Sequence, residues 1–133
     1  MTPFATEQRT LTALLGVVYY LPRAAMEALL KRLAAITSQG SSLLFDCPMR
    51  DFGTGGDAAG QQRALAKSAG ETMEQGYTLP ELALMLERHG FLIYEDMGPR
   101  EITERFYAGY NEGHPESPVL LLPGTALVLA ARH

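Results

Sequence analysis

The residues that could do chemistry by type and spacing gather at the ends of two apolar runs. The first run, Leu11 to Leu21, carries Leu15, Gly16 and the adjacent phenols Tyr19 and Tyr20; the second, starting at Ser42, leads into Asp46, Cys47 and Asp51. Neighbouring residues of an extended segment project to opposite faces, so one tyrosine turns to the core and the other to a pocket. Gly16 either brings backbone close to a ligand or eases the turn out of a strand. Asp46 either faces a ligand or caps the turn that follows it. Cys47 has no histidine near it in sequence, which argues for a small buried hydrophobe rather than a nucleophile. The glycine-rich segment 49–60, with FGTGG inside it, offers backbone amides to an anion. It lacks both the lysine of a Walker loop and full dinucleotide spacing, and reads as a mobile loop over the site. His89, His114 and His133 have no histidine or cysteine at ligand spacing, so no metal is expected.

A strand-helix-strand frame must position these groups. Leu11 to Val18 is apolar on both faces, as in a parallel strand covered by helices on each side. Met26, Leu29, Leu30, Leu33 and Ile36 form one helical stripe, entered through Pro22 and stopped at Gly40. Ser42 to Asp46 is the second strand. In a parallel unit of this kind, ligands sit just past the carboxyl ends of the strands, here residues 15–21 and 46–51.

Downstream, residues 61–75 have helical composition with a weak stripe through Leu65, Ala69 and Met73. Thr78 and Glu81 make a capping-box pattern with Pro80 in the first turn, which predicts a helix over 80–89 ended by Gly90. Phe91 to Met97 reads as a strand, Glu101 to Tyr107 as a short helix, Tyr110 to Pro118 as loop and Ala126 to Ala131 as a final strand. Met26, Met73 and Met85 are expected in the core. The order predicts an α/β sheet, parallel at first, with the last two strands antiparallel neighbours.

Composition narrows the function classes. At 133 residues the chain fits one domain, 1–133, and 47% hydrophobic with 20% charged residues is ordinary for a soluble globular fold. A net charge of -4 with scattered basic residues argues against nucleic acid. The longest apolar run is about half of the roughly 20 residues a membrane span needs, and no basic leader precedes it, so a cytoplasmic protein is expected. The single cysteine excludes an internal disulfide.

The segments GVVYYLPRAAMEALLKRLAAITSQGSSLLFDCP, GYTLPELALMLERHGFLIYEDMGPREITERFY and ALVLAAR together resemble the carboxyl-terminal half of class I S-adenosylmethionine-dependent methyltransferases. Within that class they look like the leucine carboxyl methyltransferase family, which includes polyketide O-methyltransferases. The resemblance implies a partial Rossmann-like sheet and S-adenosylmethionine as cofactor. Leu15, Gly16, Tyr19 and Tyr20 would border the cofactor, and Asp46, Cys47 and Asp51 would face a small carboxylate or phenolic acceptor. Family members usually carry a glutamate where this chain has Leu15.

The family's strand order is three, two, one, four, five, seven, six, and this chain starts just before strand four. The resemblance therefore implies a truncated domain, inactive without its amino-terminal half, whose strand at 10–18 is an open edge. Such an edge pairs with a second copy in a homodimer or with a separate amino-terminal half. The alternative is a non-catalytic dimerising or interaction module derived from the same fold.

Overall fold

A computed structural model describes residues 4–50, 76–120 and 124–133. The first strand, β1 (Leu11–Leu14), is shorter than the apolar run suggests. Gly16 takes φ 70, which turns the chain out of the strand, and Val18–Tyr20 then form a single 3-10 turn with Val18 fully buried. Val18 thus enters the core from a turn, not from a strand end.

Helix α1 (Arg23–Ile36) follows Pro22 and buries Met26 and Leu30. Gly40, at φ 85, places its N–H 2.8 Å from the Arg132 carbonyl and leads into β2 (Ser42–Pro48). Helix α2 (Leu79–Arg88) opens on the complete capping box: Thr78 accepts from the Glu81 N–H while the Glu81 carboxylate accepts from the Thr78 N–H. Its inner face is Leu82, Met85 and Leu86. Strand β3 (Phe91–Met97) follows Gly90.

Helix α3 (Pro99–Ile102) runs through a π-helical turn at Thr103–Tyr107 into α4 (Ala108–Gly113). The region expected to be loop from Tyr110 is therefore helical as far as Gly113. Asn111 stabilises the turn beyond it by donating to the Val119 carbonyl at 2.9 Å and accepting from the Val119 N–H at 2.6 Å. The last strand is β4 (Thr125–Arg132). The expected helix at 61–75, most of the glycine-rich loop, Asp51 and Met73 lie outside the described residues.

The four strands among the described residues form one mixed sheet in the order β1-β2-β4-β3. β1 is parallel to β2, and β4 is antiparallel to both β2 and β3. This order corresponds to four, five, seven, six in the family numbering. Leu43, Phe45 and Cys47 of β2 share a face with Ala130, Val128 and Ala126 of β4, and all six are buried against Met26, Leu30, Leu82, Met85 and Leu86 of the helices.

The opposite face is more open among the described residues. Leu44 and Asp46 of β2 lie beside Leu129 and Leu127 of β4, and these four are only half-buried. Leu11 and Leu92 continue that face on the outer strands and are 65% and 42% exposed. Among the described residues, the helices α1 and α2 cover one face of the sheet and β1 is hydrogen-bonded along one edge only.

Candidate functional site

The carboxyl ends of β1 and β2 and the start of β4 meet at one end of the sheet. Because β4 runs antiparallel to β2, its first residue, Thr125, lies opposite Pro48. The 3-10 turn after β1 points the Tyr19 phenol at the same place, where it donates to Thr125 Oγ1 at 3.3 Å. Asp46 sends Oδ1 across to β1's exit loop and accepts from the Gly16 N–H at 2.7 Å. Three elements separate in sequence thus converge through side chains that hydrogen-bond.

Electrostatics follow from that packing. Burial pushes the Tyr19 phenol up to about 12; the Thr125 hydrogen bond opposes this and the Asp46 charge adds to it. Tyr19 is therefore a neutral hydrogen-bond donor at physiological pH. Burial first, then Asp46, likewise pushes the Cys47 thiol up to about 12. Cys47 projects to the core face, fully buried with Sγ 3.5 Å from Met49 Sδ, on the opposite side of β2 from Asp46.

The exit loop presents an open apolar lip. Leu15 is 59% and Tyr20 42% exposed, and a Cβ built on Gly16 would meet nothing within 4 Å. Tyr19 and Tyr20 diverge, with Tyr19 half-buried towards Thr125 and Tyr20 at the surface.

A second polar group flanks the site. Glu81 binds Arg50 and lies 3.5 Å from Arg23, while Arg23 also sits 4.9 Å above the Tyr77 ring. The Thr78 N–H, then Arg50, hold the Glu81 carboxyl down at about 2. Tyr77 is anchored by its N–H to the Pro48 carbonyl at 2.9 Å, and Arg50 returns its N–H to the Tyr77 carbonyl at 2.8 Å.

Of the residues singled out in sequence, the structure brings together Gly16, Tyr19 and Asp46, leaves Leu15 and Tyr20 on the lip, and sends Cys47 to the core. Thr125 carried no signal in sequence, since its position depends on β4 inserting between β2 and β3. Among the described residues no group of three or more His, Cys, Asp or Glu side chains could hold a metal ion, and no helix is long and apolar enough to cross a membrane.

A sheet of this order, with its polar groups past the carboxyl ends of the parallel pair, resembles part of the Rossmann-like domain of class I S-adenosylmethionine-dependent methyltransferases. The relationship is supported by particular proteins. The chain is 32% identical over 107 residues to the protein from Bacillus subtilis strain 168 named as the S-adenosyl-L-methionine-dependent methyltransferase YktD, a match taking in 78% of this chain and 35% of that protein. The mitomycin 7-O-methyltransferase MmcR superposes with a TM-score of 0.59 at 14% identity, over 92% of this chain and 29% of that one. An S-adenosylmethionine-dependent methyltransferase from Mesorhizobium loti superposes with a TM-score of 0.57 at 19% identity, over 92% of this chain and 61% of that one. No family model matches the chain. The chain is thus related to S-adenosylmethionine-dependent methyltransferases and spans about a third of the length of YktD.

Proposed function

We propose that this chain forms the acceptor side of an S-adenosylmethionine-dependent O-methyltransferase of the leucine carboxyl methyltransferase and polyketide O-methyltransferase kind. Its acceptor is a small phenol, polyketide hydroxyl or carboxylate. The observation that carries this reading is the convergence of Tyr19, Asp46 and Thr125 beside the open Gly16 loop, at the end of the sheet where α/β folds bind ligands.

S-adenosylmethionine, when bound, supplies the electrophilic methyl group. The lip fits one wall of such a molecule. Gly16 leaves open space in front of its backbone, and Leu15 and Tyr20 would offer an apolar and an aromatic surface to the methionine chain and the adenine. Tyr19 stands at the boundary between cofactor and acceptor. The chain's own contribution to rate is to hold the acceptor oxygen in line and exclude water, which needs no strongly marked catalytic residue.

The edge of β1 that is unpaired among the described residues supports a partner. Either a second copy pairs there across a two-fold axis, or an amino-terminal α/β half adds a strand to it and completes the cofactor pocket. The half-exposed apolar face running from Leu11 to Leu92 favours a second reading, a non-catalytic interaction module that uses this surface alone.

Calorimetric titration of the chain with S-adenosylmethionine separates the two. The enzyme reading expects weak saturable binding that Tyr20→Ala, at an exposed position, weakens roughly tenfold through the lost aromatic contact. No saturable heat would leave the interaction module. Sedimentation adds the partner: a stable monomer that binds nothing counts against both.

A further inference from the structure

We propose that Asp46, Tyr19 and Thr125 form an anchor for a neutral hydroxyl on the acceptor, with Asp46 receiving the hydroxyl's hydrogen bond, so that the site takes a phenol or alcohol and rejects a carboxylate. This rests on the methyl-transfer reading only for the statement that the ligand is the acceptor.

The argument is one of unused hydrogen-bonding capacity. An ionised carboxylate has about four lone-pair positions. Asp46 uses Oδ1 for the Gly16 N–H and a further position for the Tyr19 phenol, which leaves about half of that capacity, and among the described residues it has no ion-pair partner. Arg23 and Arg50, at the same end of the sheet, are turned to Glu81 instead. Asp46 is thus a half-buried negative charge with acceptor capacity to spare. Beside it stand two neutral hydroxyls, since Tyr19 keeps its proton and is hydrogen-bonded to both Thr125 and Asp46, and Thr125 carries a hydroxyl of its own. One fixed anion and two neutral hydroxyls complement a ligand group that carries a proton. A second carboxylate brought to Asp46 meets like charge in a partly desolvated place.

The test uses 4-nitrophenol, whose visible absorbance belongs to its anion, added to the full chain near the probe's own pKa. The anchor predicts that the probe binds as the neutral phenol, so the visible band falls on binding, and that 4-nitrobenzoate does not compete. Asp46→Asn keeps an oxygen for the Gly16 N–H, so the melting temperature should hold while probe affinity drops about tenfold, a charged acceptor having become a neutral one. Thr125→Val should weaken the probe and Thr125→Ser restore it. The proposal is overturned if the probe binds as its anion, if 4-nitrobenzoate competes equally, if Asp46→Asn binds as wild type, or if no binding occurs. Titration of the same samples with S-adenosylmethionine keeps the two readings apart. Cofactor binding without probe binding removes the anchor alone, whereas probe binding without cofactor binding removes methyl transfer and leaves the anchor.

Discussion

Replacing the buried thiol of Cys47 should make the protein less stable at neutral pH and more stable at alkaline pH. Cys47 is fully buried opposite Ala126, and burial raises its pKa from 9.0 to about 12. The unfolded chain gives up this proton above pH 9 while the folded chain keeps it. The stability tied to the raised pKa is therefore complete below pH 9 and is lost as the pH climbs towards 12. The slope is about 1.4 kcal/mol per pH unit, which is about 2 kcal/mol by pH 10.5 and at most about 4 kcal/mol over the whole interval. Cys47→Ala removes the titration and leaves a small void worth about 1 kcal/mol. Urea unfolding in the presence of reductant at pH 8, 9.5 and 10.5 should show the wild type ahead by about 1 kcal/mol at pH 8 and behind by a similar margin at pH 10.5. Parallel stability curves for the two proteins would refute the claim that the folded state withholds this proton.

Other consequences can be checked with single changes. Gly76 has φ 99, and a Cβ there would lie 2.5 Å from the Pro48 carbonyl oxygen, so Gly76→Ala should cost about 2 kcal/mol or more in urea unfolding. Because the Thr78 N–H and Arg50 hold the Glu81 carboxyl down at about 2, its contribution is complete above its ordinary value of 4.5 and fades as the pH falls towards 2. A side-chain NMR titration should place the Glu81 midpoint well below that of an ordinary glutamate, and an ordinary midpoint would mean that the capping box is open in solution.

Local signals in the sequence marked much of this fold because they act within a few residues. The box of Thr78 and Glu81 located the start of α2, Pro22 and the Leu30 stripe located α1, and the limits of β3 at Phe91 and Met97 agree with the expectation. The exit from β1 was hidden. Its apolar letters continue to Val18, and only the backbone shows that Gly16 turns at φ 70 and hands Val18 to the core from a turn. A side chain's hydrophobicity does not say which sheet face is covered, so Leu11 looked like an interior strand residue although it is 65% exposed. The site was legible where it is local, at Gly16, Tyr19 and Asp46, and illegible at Thr125, whose meaning depends on a strand pairing across most of the chain.

The place of β4 in the sheet bears on how the chain is made. It is the last of the described strands to leave the ribosome, yet it alone joins β2 to β3, with Ser42 waiting for Ala131 and Phe91 for Arg132. Until it emerges, Phe45 and Phe91 have no common strand between them, and the nascent polypeptide offers sticky surface to its surroundings. Folding speed, and dependence on chaperones during synthesis, should therefore respond more strongly to changes in β4 than to equal changes in β1.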